Sequence, residues 1–210
     1  TATPGINTDL FRSKASGNWN VTGTWQSSSD GNTWGNATTT PEATNSVYIQ
    51  SGHTVTLTGN AACNDLHIAT GTTGSLGTRG IIAIETYTLE VNGKLRTYYA
   101  SVGTVPGTSS PNGFNNYPFT GTTGKISIVG NTRNLTNTGE WGATISNPGT
   151  GIFPLEINLS SNQTVTLNTT IKCTSLDVTA GTFDAGTNTI GIDNGTTGQG
   201  DVTIETNATL

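Results

Sequence analysis

The chain has 210 residues and a mass of 21.6 kDa, the size of one ordinary domain or one elongated repeat body. Only 31% of its residues are hydrophobic and 10% are charged, so a wide globular interior is hard to fill, and at a net charge of −5 its eight Lys and Arg, placed singly, leave no basic stripe for nucleic acid. No apolar stretch approaches the roughly 20 residues that cross a bilayer, which excludes a membrane-spanning helix, and the recurrent Val, Ile and Leu runs set the chain apart from disordered sequences.

In chain order, residues 1–50 carry Trp19, Trp25 and Trp34 among serines, ahead of a first predicted strand over 47–49. From there the apolar residues alternate with polar ones at period two, the signature of a strand with one buried face. Val55 and Leu57 alternate in this way, then Leu66 and Ile68, then Leu89 and Val91. Residues 100–124, with Pro106, Pro111 and Pro118 among Gly, Ser and Asn, read as a long loop. The alternation resumes with Val165 and Leu167, Leu176 and Val178, Ile190 and Ile192, and Val202 and Ile204. Clusters such as Gly71-Thr72-Thr73-Gly74 supply turns between the runs, and no segment reads as a helix.

The second half repeats the first. Residues 53–68 align without gaps on residues 163–178, and Thr54, Val55, Thr56, Leu57, Cys63 and Leu66 meet identical residues. Further on, the segment from Thr88 matches the one from Thr189 if the first copy carries an extra loop over 79–86. Two inward aliphatics contribute about 3–6 kcal/mol, whereas ordering five backbone units costs about 5–10 kcal/mol, so each strand needs neighbours stacked on it. Periodic strands under that constraint predict an all-β parallel β-helix (β-solenoid), with an N-terminal aromatic-rich cap over 1–50 and a body over 51–210. An antiparallel β-sandwich is the alternative fold, since similar strand spacing serves it too.

The segments SGNWNVTGTW from Ser16, NSVYIQSGHTVTL from Asn45 and FPLEINLSSNQTVTL from Phe153 carry a resemblance as well. Nearly the whole chain resembles the β-solenoid repeat segments of secreted Bacteroidota cell-surface and adhesin-like proteins of the type IX secretion style. That resemblance implies a secreted, extracellular or cell-surface location and a structural or adhesive task, and it brings no catalytic motif with it. The absence of Met and the Thr1-Ala2-Thr3-Pro4 start predict an exported, processed product.

The residues themselves predict a non-enzymatic protein without cofactor or metal. Asp65, Glu85, Glu90, Asp177 and Asp184 alternate with inward aliphatics and belong on outer faces, His53 and His67 are too few for a metal centre, and Asp30 and Asp193 suit turns better than calcium loops. The TxT motifs at Thr54 and Thr56 and at Thr164 and Thr166 occur in isolated copies, too few for an ice-binding array. Cys63 and Cys173 share one repeat position, which predicts a common packing role, with a disulfide between them as the sharper alternative. Trp25, Trp34 and Trp141 are candidate glycan contacts, and Asn20, Asn36, Asn134, Asn158, Asn162, Asn168, Asn194 and Asn207 are candidate glycosylation sites. The partners expected are further copies of the chain, met through the solenoid ends to give a fibre, and surface glycans. The alternatives are a dedicated glycan-binding adhesin module and a carbohydrate-active β-helix enzyme.

Overall fold

The computed structural model describes residues 10–69, 79–98, 111–112, 119–121, 123–131, 133–135, 154–167, 171–192, 201–206 and 208–210. These residues are all-β: their single helical element is a 3-10 turn at Thr22–Thr24. All but three of the strand pairs are parallel, which is not the pairing of an antiparallel sandwich.

The parallel strands form five ladders. The first stacks Leu10–Ser13, Ser46–Ile49, Leu66–Ala69 and Leu95–Tyr98. The second stacks Gly17–Asn18, Thr54–Thr56, Ile81–Glu85 and Phe119–Gly121. The third runs from Ala61–Cys63 through Thr88–Val91, Lys125–Gly130, Leu155–Leu159 and the start of Leu176–Asp184 to Val202–Ile204. The fourth joins Arg133–Leu135, Thr164–Leu167, the end of Leu176–Asp184 and Ala208–Thr209, and the fifth pairs Ile171–Cys173 with Ile190–Ile192. In the first half the chain visits ladders one, two and three in turn and returns to one. In the second half it cycles through three, four and five.

Because in-register parallel strands place like positions side by side, the inward aliphatics of successive strands join in one apolar cluster that extends from Phe11 to Phe183. Val55, Leu66, Ile82, Leu89, Ile126, Ile128, Ile157 and Val178 in that cluster are all fully buried. At the Leu10 side of the first ladder the pairing turns antiparallel, with Trp25–Ser28 beside Leu10–Ser13 and Gly35–Asn36 beside Trp25–Ser28. There Phe11, Trp19 and Trp25 pack edge to face, and the Trp25 indole N–H donates to the Trp19 carbonyl at 2.7 Å. This region therefore contains strands that its sequence does not announce, ahead of the expected first one.

The internal repeat is reproduced in detail. Val55, Leu57, Cys63, Leu66 and Ile68 are buried, and so are their counterparts Val165, Leu167, Cys173, Leu176 and Val178. The match also extends backwards beyond the sequence alignment, because Gly52 (φ 79) and Asn162 (φ 62) hold the same left-handed turn position in a corner where the His53 and Gln163 amides bond back to the carbonyls of Gln50 and Ser160. Past the first strands, Gly80 corresponds to Gly181. A Cβ at Gly80 would come within 2.9 Å of Ile49, and one at Gly181 within 2.8 Å of Leu159, so both corners require glycine for close approach. Glu85 (φ 58) and Gly186 (φ 56) then occupy equivalent left-handed turns.

These equivalences relocate the insertion. Aligned residue numbers differ by 110 up to Ile68 and by 101 from Gly80 onward, so the first copy has nine more residues between Ala69 and Gly80. The stretch 79–86, read from sequence as a loop, contains the strand Ile81–Glu85, whose Ile82, Ala83 and Ile84 are all buried. The expected loop over 100–124 lies mostly outside the described residues; where described, Pro111–Asn112 and Phe119–Gly121 are strand. The weighed disulfide is not formed: Cys63 and Cys173 are buried thiols in the third and fifth ladders, and burial pushes the Cys173 pKa up to about 12.

Candidate functional site

Parallel register decides which distant side chains become neighbours, and here it separates the charges. On the outer face of the first ladder, Arg12 lies opposite Tyr48 and Tyr48 opposite His67, and the strand register sets residue 96 opposite residue 67. Lys14 directly follows the first of these strands and Lys94 directly precedes the last, and both are exposed. Register thus brings Arg12, Lys14 and Lys94 to one ladder, although the sequence scatters them. The Arg12 guanidinium lies 4.4 Å from the Trp34 ring centroid while its Nε donates to Gln26 Oε1 at 2.9 Å. Tyr48 and His67 stack with centroids 4.6 Å apart and planes 10° from parallel.

The outer face of the third ladder is acidic. Glu90, Ser127, Glu156, Asp177 and Thr203 form one row across adjacent strands. Glu156 is buried and paired with Lys125, as a carboxylate withdrawn from water requires. Between the acidic side chains, the buried Ser127 hydroxyl has no hydrogen-bond partner among the described residues.

A serine–histidine pair lies at the corner between the first and second ladders. Ser13 Oγ is hydrogen-bonded to His53 Nδ1 at 2.9 Å and accepts the Gln50 backbone N–H at 2.8 Å. Ser13 is fully buried, so this hydroxyl pins the corner and offers no open side to a substrate. Burial lowers the His53 pKa from its ordinary 6.5. The unfolded chain thus takes up this proton first, and the contribution of neutral His53 to stability is complete above about pH 6.5 and declines as pH falls toward the lowered value. Chemical denaturation at pH 7.5 and 5.5 should show this loss in the wild type and a smaller one in His53→Gln.

Of the candidate glycan contacts, Trp25 is corrected: it is fully buried and can touch no ligand. Trp34 is half-buried beside Arg12, and Trp141 lies outside the described residues. Asp30 holds a turn by accepting from the amides of Asn32 and Thr33 at 2.8 Å, and these bonds draw its pKa down to about 2. Asp193 lies outside the described residues. His67 is buried on the outer face of the first ladder, 4.0 Å from Asp65, and no group of three or more metal-ligating side chains occurs among the described residues. The threonine pairs belong to different ladders, the second and the fourth, and their residues are half-buried. Asn20, Asn36, Asn158 and Asn162 are exposed; Asn134 lies in a strand, its side chain outside the described set, as are residues Asn168, Asn194 and Asn207. Reading the sequence alone missed the row of Arg12, Tyr48 and His67, because only register brings these residues together. Compared with protein-family models, curated proteins and solved structures, the chain matches none.

Proposed function

We propose that the ladders wind as a parallel β-helix, a slender β-solenoid closed over residues 1–50 by the aromatic-rich hairpin, and that the protein serves as a non-enzymatic structural and adhesive element at the surface of the cell that secretes it. The observation that carries this reading is the single apolar cluster threading successive in-register strands from Phe11 to Phe183. Such a body offers long outer faces in proportion to its core, which suits display and contact.

Self-association belongs to the same proposal. Val202 and Ile204 lie in register with the fully buried Leu176 and Val178, yet they are 49% and 40% exposed. A second copy placed against that strand removes this apolar surface from water. The Leu10 side is closed by antiparallel strands, so the contact falls on the Val202 side. Negative-stain imaging of the 210-residue chain should reveal slender particles, and sedimentation should report association that weakens in a Val202→Asp, Ile204→Asp variant. Compact round particles would refute the solenoid, and a monomer at every concentration the self-contact.

A further inference from the structure

We infer that two copies of the chain join as a closed two-fold dimer, with the strand Val202–Ile204 of one copy paired antiparallel to the same strand of the other about an axis at Thr203. The inference deepens the self-association just proposed and rests on it: it fixes the partner surface, the pairing and the number of copies.

Apolar exposure selects the surface. Among the described residues the exposed large hydrophobics are Val21, Val202, Ile204 and Leu210, so three of the four fall between positions 202 and 210. Backbone polarity then decides how that surface is used. Val202–Ile204 pairs with Leu176–Asp184 on one side and with no other strand among the described residues. The Leu176 amide donates to the Asp201 carbonyl and the Glu205 amide to the Val178 carbonyl, both at 2.9 Å. Main-chain groups alternate in direction along a strand, so Thr203 also turns its N–H and C=O toward this neighbour, whereas Val202 and Ile204 turn theirs outward. Such an edge is a template for another strand.

The strand is its own complement. Reversed about Thr203, Val202 meets Ile204 of the second copy, and each such pair exchanges both main-chain hydrogen bonds. Because Val202 and Ile204 lie in register with the buried Leu176 and Val178, the apolar interior then continues from one copy into the other. Centred on Val202 or on Ile204, the pairing leaves one aliphatic opposite no residue of the strand, and beyond Ile204 the chain turns, with the Ala208 amide donating to the Glu205 carbonyl at 3.0 Å. A head-to-tail contact finds no matching surface, since the outermost strand at the Leu10 side is the antiparallel Gly35–Asn36, which carries no aliphatic. A two-fold contact occupies the open edge of both copies, so assembly stops at two in place of the expected fibre. Asp201 and Glu205, both exposed, flank the strand, and the same pairing sets Asp201 of each copy opposite Glu205 of the other. Like charges directly opposite weaken the contact, and salt screens them.

The test is cysteine cross-linking of the full chain, whose native Cys63 and Cys173 are buried. About the proposed axis Thr203 faces its own counterpart as a non-hydrogen-bonded pair with α-carbons about 4.5 Å apart, within the reach of a disulfide. Thr203→Cys should therefore oxidise in air to a covalent dimer, whereas Asp201→Cys, whose two copies lie about 14 Å apart, should not. Sedimentation of the wild type should show monomer and dimer alone, with association about fivefold tighter at high than at low salt. An Asp201→Asn, Glu205→Gln variant should associate tightly at both. Cross-linking that is equal at the two positions or missing at Thr203→Cys, or oligomers larger than two, overturns the two-fold dimer and leaves self-association standing. A wild type that stays monomeric at every concentration and salt removes both.

Discussion

Replacing Trp25 with alanine should lower the unfolding free energy by about 3–5 kcal/mol, the usual cost of deleting a large buried aromatic. Trp25 is completely enclosed, with its ring centroid 6.5 Å from that of Phe11 and 5.2 Å from that of Trp19. The change removes both edge-to-face contacts and leaves the Trp19 carbonyl without its indole donor. Urea unfolding should display a lower midpoint with an unchanged slope. A Trp25→Ala protein as stable as the wild type would mean that this aromatic cluster does not close the fold. Sequence reading placed Trp25 among glycan contacts, so the same variant separates the two roles: a contact residue loses binding, whereas a core residue loses stability.

The second large effect comes from a matched pair. Leu176 and Val202 are partners in register, the first fully buried and the second 49% exposed. Leu176→Ala should cost about 2–5 kcal/mol, whereas Val202→Ala should cost about 0.5 kcal/mol or less, as surface changes do. Stabilities from denaturant midpoints, measured at a concentration where the chain is monomeric, decide it. Equal losses at the two positions would show that Val202 is covered in solution.

Much of the fold was legible because period-two alternation is a local signal. Val55 with Leu57 and Leu176 with Val178 show it, and each falls in or beside a strand with its aliphatics inward. Ile81–Glu85 was misread for the converse reason: Ile82, Ala83 and Ile84 are buried in succession, so alternation vanishes. Strands of two residues, such as Gly17–Asn18 and Gly35–Asn36, are too short and polar to leave any pattern. The repeat was legible where identities cluster and illegible at its corners, where Gly52 matches Asn162 and Glu85 matches Gly186 through backbone conformation and not side-chain likeness. The row of Arg12, Tyr48 and His67 was hidden altogether, since the juxtaposition of these residues depends on strand register, which period-two patterning does not encode.

The two copies of the repeat enter the cycle of ladders one step out of phase, the earlier beginning on the first ladder and the later on the third. Duplicated residues are consequently turned toward different directions of space. The two threonine pairs cannot merge into one flat tract, and the two cysteines cannot become partners. A repeat set out in this fashion lengthens the core with the same inward residues while giving the outward residues of each copy a ladder of their own, so the exterior can vary without compromising the interior the copies share.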